Sequence, residues 1–247
     1  MRIMNDMTSS LLHKLSISAL ALFSFTAFAA PTSSPIIPES RDNVGWWKER
    51  YTKQVETLKS QPCDVLFLGD SITDQWSTNG KNIWNKYFAK YNPCNFGISG
   101  DRTQNLIYRL ENSGLPSQTD PKVCFIMIGT NNTGHSKGAE PAESTAMGIL
   151  SVAQHLLVRY PNTQVIILGI FPRNTADDIR RTHNDKINTI LAKCSLPRTQ
   201  YVNINKHFLG KDNNLLPNIS GDKLHFNERG YEIWAKAIMP YIKKYCK

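Results

Sequence analysis

Residues 65–73 read VLFLGDSIT, four apolar residues followed at once by a Gly-Asp-Ser turn. A continuous apolar run between chain breakers is typical of a strand buried on both faces of a parallel α/β sheet. Gly69 allows the backbone to bend sharply where this strand ends. Asp70 and Ser71 then lie at the carboxyl end of the strand, where open α/β sheets bind their ligands. Two interpretations of Ser71 remain open at this point, an exposed reactive hydroxyl or an ordinary helix N-cap.

Polar turns also follow two further predicted strands. A short strand at 94–96 runs into residues 97–103, GISGDRT, and the most apolar run after the N-terminus, 123–128, ends in residues 129–132, GTNN. The carboxyl ends of parallel strands meet at one edge of a sheet, so we expect all three turns along that edge. Glycine lets a backbone N–H approach a ligand closely, and an Asn amide can bind an oxyanion. Each turn alone is also explained by ordinary turn chemistry.

The rest of the chain alternates between strand and helix patterns. Further strands are predicted at 165–170 and 201–204, and a polar loop at 210–221. Apolar residues at helical spacing predict helices at 46–58, 83–88, 141–160, 179–191 and 228–245, with a further helical stretch around Leu106 and Leu110. This alternation predicts an α/β fold with a five-stranded parallel sheet, helices on both faces and right-handed crossovers.

The N-terminal residues 1–29 have the layout of a secretory signal peptide. Basic residues precede an apolar run at 15–28, and small residues at Ala27 and Ala29 are typical of a cleavage site. The run is shorter than the roughly 20 residues that span a bilayer, so a membrane anchor is the less favoured interpretation. We expect residues 30–43 to be flexible, residues 44–247 to form one domain, and the protein to be exported, either to the periplasm or outside the cell.

Charge and cysteine usage restrict the classes of partner. The formal charge is +9, and loss of the leader, with two basic residues and one acidic residue, leaves +8. The lysines are scattered without an aromatic-interleaved basic run, so nucleic-acid binding is not predicted. A diffuse basic surface suits anionic envelope polymers or phospholipid head groups. The five cysteines form no CxxC and no Cys/His cluster, so neither a metal nor another cofactor is predicted.

A serine nucleophile needs a base, a carboxylate that orients the base, and donors for an oxyanion. His225 is the favoured base because Asp222 precedes it by three residues. In a helical turn that spacing places both side chains on one face, so the carboxylate can hold Nδ1–H while Nε2 faces outward. His135, close to Asn131, is the rival candidate, and His155 lies within a predicted helix and is interpreted as structural. The alternative for Asp222 and His225 is an ordinary capped loop.

Taken together, four segments resemble the motif blocks of the SGNH (GDSL-type) hydrolase superfamily. They are residues 69–73 (GDSIT, with isoleucine where leucine is common), 95–101 (NFGISGD), 129–132 (GTNN) and 222–225 (DKLH). The middle blocks and residues 109–112, RLEN, are most similar to the branch of platelet-activating-factor acetylhydrolase catalytic subunits. That branch usually has glycine where Ser99 stands, a departure that leaves Gly100 intact.

This resemblance implies a site and a fold. Ser71 would be the nucleophile, His225 the base and Asp222 its orienting carboxylate. The oxyanion hole would consist of the backbone N–H groups of Ser71 and Gly100 and the side chain of Asn131. The fold would be a flavodoxin-like three-layer sandwich.

The resemblance also implies an exported serine esterase that acts through an acyl-enzyme on Ser71. No insertion is long enough to form a lid over a lipid chain, so short acyl groups, acetyl above all, are favoured. Small-molecule or glycan esters, such as acetylated carbohydrates or cell-envelope polymers, are the expected substrates. The alternatives are a lysophospholipase, arylesterase or thioesterase using the same site, and a non-catalytic surface-binding protein that retains the fold.

The family fold further implies that the strands after Cys63 and before Gly97 are parallel neighbours. Cys63 and Cys94 both follow a proline at the start of these strands, so we predict a disulfide between them, which export would permit. Cys124 would then be a buried free thiol, and Cys194 and Cys246 a weaker second pair. The alternative is five reduced cysteines.

Overall fold

The computed structural model of the chain describes residues 34–113, 115, 119–134 and 139–247. The predicted signal peptide at 1–29 lies outside these ranges, as does His135. Within them, no helix combines the length and the apolar character that crossing a membrane requires.

The strands of the described ranges form one five-stranded parallel sheet in the order β2-β1-β3-β4-β5. Their bounds are Val65–Gly69 (β1), Pro93–Gly97 (β2), Val123–Met127 (β3), Gln164–Leu168 (β4) and Thr199–Val202 (β5). This is the strand order of the flavodoxin-like doubly wound folds. The predicted fold class is therefore confirmed, and so is the central position of the 123–128 strand.

Helices cover both faces of the sheet. They are Gly45–Ser60 (α1), Ser71–Asp74 (α2), Lys81–Phe88 (α3), Thr103–Asn112 (α4), Thr130–Gly134 (α5), Ala142–Arg159 (α6), Ile179–Leu191 (α7) and Glu228–Tyr245 (α8). Apolar residues of α1, α4, α6 and α7 pack in one core, and those of α2, α3 and α8 in the other. The helices predicted at 179–191 and 228–245 begin and end at the predicted residues.

The burial of strand β3 on both faces explains why its sequence is apolar without alternation. Cys124 and Ile126 face the core beneath α6, whereas Val123, Phe125 and Met127 face the core beneath α8. All five side chains are at most 1% exposed. Successive side chains of a strand point to opposite faces, so a strand covered on both faces needs apolar residues at every position.

Strand β2 begins one residue earlier than predicted, at Pro93. Proline cannot donate to a ladder hydrogen bond, which argues against it in a central strand. β2 pairs only with β1 and is therefore an edge strand, where proline is tolerated. The short helices α2 and α5 were not predicted, because four or five residues carry too little periodicity to be recognised.

Residues 34–43 are the described part of the segment predicted to be flexible at 30–43, and they form hydrogen bonds with α4. The hydroxyl of Thr103 donates to the carbonyl of Pro35 at 2.8 Å, and the amide of Asn105 donates to the carbonyl of Glu39 at 2.8 Å. These bonds tie the segment to the first turn of α4. The Pro/Ser composition suggested a tether, but composition does not reveal that buried polar groups elsewhere use the segment's carbonyls as acceptors.

The predicted disulfide is not present, since Cys63 and Cys94 are both free thiols. The register places Cys94 opposite Leu66, three residues beyond Cys63, although the two side chains lie close enough to interact. Each thiol donates instead to a backbone carbonyl at 3.8 Å, Cys63 to Val65 and Cys94 to Pro62. The remaining cysteines are also free: Cys124, Cys194 and Cys246.

Candidate active site

The sheet order brings the three polar turns together. β1 lies between β2 and β3, and Gly69 at its end is level with Gly97 on one side and Met127 on the other. The turn after β1 is therefore flanked by the glycine turn after β2 and the asparagine turn after β3. This confirms that the three turns share one edge, which is the ligand-binding edge of such sheets.

The start of α2 decides between the two interpretations of Ser71, a reactive hydroxyl or a helix N-cap. Asp70, not Ser71, is the N-cap, because its Oδ1 accepts the N–H of Ile72 at 3.0 Å. Ser71 is the first residue of the helix, so its own N–H has no intrahelical acceptor. Its hydroxyl is left for other partners.

Ser71, His225 and Asp222 form one hydrogen-bonded chain. Ser71 Oγ lies 2.8 Å from His225 Nε2, and His225 Nδ1 lies 2.7 Å from Asp222 Oδ2. The Asp222 carboxylate can only accept a hydrogen bond, so the proton between it and the imidazole is on Nδ1. Nε2 of His225 is therefore unprotonated and can accept the proton of the serine hydroxyl. This is the arrangement in which a histidine can act as a general base toward a serine.

The turn that holds Asp222 and His225 is not helical, so the predicted reason for their proximity is wrong. Asp222 Oδ1 accepts the N–H groups of Leu224 at 2.9 Å and His225 at 2.8 Å. The intervening Lys223 has a positive φ of 61°. The carboxylate thus folds the backbone around itself, and the same three-residue spacing brings its other oxygen to the imidazole.

The charge of Asp222 is stabilised by these contacts. Partial burial acts to raise the pKa of Asp222, but it is outweighed by hydrogen bonds from the His225 ring and from backbone N–H groups, which hold the pKa well below its usual range. The group is therefore a carboxylate at neutral pH and can stabilise an imidazolium at His225.

The predicted oxyanion donors face the same edge. Gly100 has a φ of +80°, a conformation that favours glycine, and within the described ranges its N–H donates to no protein acceptor. Asn131 Nδ2 donates to the carbonyl of Asp101 at 2.9 Å. That bond orients the amide and uses one of its two N–H groups, so the second remains for a ligand.

Ser99, which stands where the family branch usually has glycine, connects the glycine turn to α2 by a hydrogen bond. Its hydroxyl donates to Asp74 Oδ2 at 2.9 Å, and Arg50 Nη2 binds the other oxygen of Asp74 at 2.5 Å. A Cβ on Gly97 would lie 2.4 Å from the backbone nitrogen of Asp74, so the two turns approach too closely for any other residue there. The hydroxyl of Ser99 thus adds a contact and leaves Gly100 in position.

A buried ion pair that sequence reasoning missed lies beneath the site. Arg109 and Asp101 are fully buried, with Nε and Oδ2 at 2.8 Å. Arg109 also donates to the carbonyls of Phe96 at 2.9 Å and Gly69 at 3.4 Å, which belong to the ends of β2 and β1. Trp47 Nε1 donates to Asp101 Oδ1 at 2.6 Å. The pair therefore connects two of the three turns, and the Asp101 carbonyl connects the third through Asn131.

Other histidines have structural partners. His155 Nε2 lies 3.0 Å from Glu111 Oε1, and its Nδ1 lies 2.8 Å from the carbonyl of Ser151, which confirms the structural interpretation of that residue. His183 Nε2 lies 2.8 Å from the carbonyl of Glu140. The rival base His135 lies outside the described residues.

Asp70 is a buried carboxyl next to the serine. Its Oδ1 caps α2, whereas its Oδ2 has no hydrogen-bond partner in the described part of the chain. Burial raises the pKa of Asp70 from 3.8 to about 7, and the nearby Asp101 charge acts in the same direction. The folded protein therefore favours the protonated form over a range in which an exposed aspartate is ionised.

We expect Asp70→Asn to remove a pH-dependent loss of stability. Between about pH 4 and pH 7 the folded wild-type protein holds a proton that the unfolded chain has released, so its free energy of unfolding falls as the pH rises through that window. A shift of this size corresponds to about 4 kcal/mol, at about 1.4 kcal/mol per pKa unit. Asparagine keeps the cap without the ionisation. Urea unfolding of both proteins at acidic and alkaline pH measures the difference, and a constant difference across the window would contradict the assignment.

Comparison with known proteins identifies what the chain is similar to. Residues 67–233 match the profile of the GDSL-like lipase/acylhydrolase family. The α1 subunit of platelet-activating factor acetylhydrolase IB from Bos taurus is 30% identical over 210 residues, which cover 84% of this chain and 87% of that protein. The α2 subunit from Rattus norvegicus is 32% identical over 204 residues, 81% of this chain and 85% of that protein.

Solved structures share the fold at lower sequence identity. A GDSL-like lipase from Bacteroides thetaiotaomicron has a TM-score of 0.65 and 22% identity, covering 79% of this chain and 97% of that one. An acetylxylan esterase from Geobacillus stearothermophilus has a TM-score of 0.56 and 19% identity, covering 74% and 94%. These similarities agree with the three-layer architecture described above.

Proposed function

Because the chain belongs to the GDSL-like lipase/acylhydrolase family and is a carboxylic-ester hydrolase, we propose that it removes short acyl groups, acetyl above all, from carbohydrate esters. The proposed reaction proceeds through an acyl-enzyme on Ser71. The observation that carries the proposal is the hydrogen-bonded chain from Asp222 through His225 to Ser71. The same edge of the sheet carries the turn of Gly100, whose N–H has no acceptor among the described residues. Export is proposed from the signal-peptide pattern of residues 1–29.

The proposed mechanism follows from the order of these contacts. His225 Nε2 takes the proton of Ser71 as Oγ attacks the ester carbonyl carbon, and the oxyanion accepts from Ser71 N–H, Gly100 N–H and the Asn131 amide. The imidazolium then gives its proton to the departing alcohol oxygen, which leaves the acyl group on Ser71. Water, deprotonated by His225, attacks that ester, and the collapse releases the acid and restores the serine.

The surroundings of the oxyanion turn support a small, polar substrate. A cavity of about 300 Å³ adjoins Gly100 and is lined mainly by charged and amide side chains, among them Glu39, Arg41 and Asn105. A long alkyl chain would strip water from these groups without replacing their hydrogen bonds. The relatives named as acetylhydrolase subunits favour acetyl as the acyl group.

A second crevice supports a carbohydrate as the alcohol part. It has a volume of about 220 Å³ and includes Lys223, which lies between Asp222 and His225 in the chain. Its walls carry the amides of three asparagines and two hydroxyl groups, next to an apolar wall: Asn174, Asn214, Asn218, Thr175, Ser220, Leu215, Leu216 and Pro217. Amides and hydroxyls are the groups that pair with sugar hydroxyls.

Acyl-chain preference tests this proposal against lysophospholipase or lipase activity. We expect turnover of p-nitrophenyl acetate to exceed that of the decanoate ester by about tenfold or more, because each added methylene must enter a polar site. Initial rates over a series of chain lengths measure the preference, with Ser71→Ala protein supplying the background rate. A maximum of the rate at an acyl chain of about eight carbons or above would instead favour the lysophospholipase or lipase alternative. Absence of Ser71-dependent turnover on any ester would favour the alternative of a non-catalytic surface-binding protein that retains the fold.

A further inference from the structure

A cleft of about 330 Å³ lies beside the edge strand β2, between α1 and α3. We call it the α1–α3 cleft, and its characteristic residues are Arg50 and Lys53 of α1 and Lys81 and Trp84 of α3. It includes no residue of the triad, of the proposed oxyanion hole or of the 222–225 turn, so it is separate from the candidate active site. Its volume is at the small end of the range for ligand sites, enough for a short piece of a polymer.

The α1–α3 cleft is positively charged. Three cations line it and no Asp or Glu does. Arg50 is paired with Asp74, whereas within the described ranges Lys53 and Lys81 make no ion pair. By contrast, Lys86, also on α3, binds Glu232 at 3.1 Å. The lysines of the cleft therefore keep their charge available to a ligand.

Two buried donors that line the cleft lack acceptors. Arg50 Nε and Trp76 Nε1 have no hydrogen-bond partner among the described residues, and the Trp76 side chain is fully buried. Buried donors without acceptors are uncommon and invite explanation.

The remaining surface of the cleft suits sugar rings. Trp84 is half-buried, so part of its indole can present an apolar face with a polar edge. Asn85, which is exposed and makes no side-chain hydrogen bond in the described part of the chain, lies at the rim beside Lys81. An aromatic face, an amide and two unpaired ammonium groups together fit a sugar that carries a carboxylate.

We propose that the α1–α3 cleft binds an acidic polysaccharide, with Lys53 and Lys81 on the carboxylates and Trp84 against a sugar ring. The choice of ligand rests on the proposed function, because a carbohydrate esterase gains from holding the polymer whose ester groups it removes. Binding is distinct from cleavage, since the cleft holds no triad residue. A phosphate-rich nucleic acid is less suited, because three cations in one cleft are fewer than a continuous basic track provides.

The test measures binding without turnover. We would titrate full-length Ser71→Ala protein with polygalacturonate and, separately, with neutral dextran by calorimetry. We expect binding to polygalacturonate alone, weakened by about tenfold in Lys53→Gln/Lys81→Gln, because two charged contacts are lost. The matched control, Lys186→Gln/Lys193→Gln, removes the same charge from two exposed positions, one within α7 and one just after it, that do not line the cleft. Asn85→Asp should also weaken binding by adding a negative charge at the rim.

Three results would overturn the inference. Equal weakening in both lysine pairs would mean diffuse charge attraction, and no binding of polygalacturonate would remove the site. Equal or tighter binding of duplex DNA or anionic phospholipid vesicles, with the same dependence on Lys53 and Lys81, would assign the cleft to phosphates. With Ser71 present, Lys53→Gln/Lys81→Gln should hydrolyse p-nitrophenyl acetate at the unaltered rate. Loss of esterase activity in the unaltered protein would contradict the proposed function and leave the binding result standing.

Discussion

Replacing Ser71 with alanine is expected to lower kcat for p-nitrophenyl acetate by about 10⁴- to 10⁶-fold, because the atom that attacks the ester is removed. His225→Ala should lose activity to a similar extent, since its Nε2 lies 2.8 Å from Ser71 Oγ and takes the proton. The double variant should be little worse than either single one, because neither group acts without the other. Steady-state kinetics on the purified proteins measure all three.

The fold should survive these changes. Asp70, not Ser71, caps α2, so alanine at position 71 leaves the cap bond to Ile72 in place. Ser60→Ala and His207→Ala, at exposed positions, are the matched controls and should retain full activity. Circular dichroism checks that each variant is folded. Substantial turnover by folded Ser71→Ala would refute the site, and retained activity in His225→Ala alone would direct attention to His135.

Features of the site that depend on sheet topology were predictable from sequence. An apolar run that ends in a polar turn predicts a buried parallel strand, and every such turn must fall on the same edge. The turns containing Ser71, Gly100 and Asn131 therefore assemble as predicted. Helices α7 and α8 were also predictable to the residue, because both carry a long apolar stripe at helical spacing.

Features that depend on long-range polar contacts were not predictable. Asp222 approaches His225 through two backbone N–H bonds and not through a helical turn, and a spacing of three residues is compatible with both. Residues 34–43 supply carbonyl groups that α4 uses as acceptors, which composition does not show.

The Arg109–Asp101 pair is the clearest example of a feature that could not be predicted from the sequence. Helical periodicity explains why the face that includes Leu106 is buried, but an arginine on a helix is ordinarily exposed. Its burial follows from acceptors in three other segments: Asp101, and the carbonyls of Phe96 and Gly69. The only signal in the sequence was the RLEN segment itself, which contributed to the family resemblance without indicating what its arginine does. Because the pair joins the ends of β1 and β2 to the turn that carries Gly100, we infer that it positions the oxyanion donors.

Arg109→Met is expected to destabilise the protein by about 3–5 kcal/mol, because it leaves the Asp101 carboxylate in the interior without its closest cation. In the fraction that folds, kcat should fall by about 10²- to 10³-fold, the effect of misplacing one oxyanion donor. Adding Asp101→Asn should restore part of the stability by removing a buried carboxylate that Arg41, at 3.0 Å, would then balance alone. It should not restore kcat, because the arginine bonds to Phe96 and Gly69 stay lost. Urea unfolding and steady-state kinetics separate the two effects.

The matched control for this prediction is Arg180→Met. Arg180 pairs with Asp178 at 2.9 Å on the surface, where the arginine side chain is 43% exposed, and such pairs contribute no more than about 1 kcal/mol. If Arg109→Met does not fold, Arg109→Lys keeps the charge but loses the forked geometry, and should show the kcat loss with a smaller loss of stability. A stability loss in Arg109→Met no larger than that in Arg180→Met would show that the buried pair does not hold the turns. Unchanged kcat in a folded variant would show that the oxyanion donors are positioned without it.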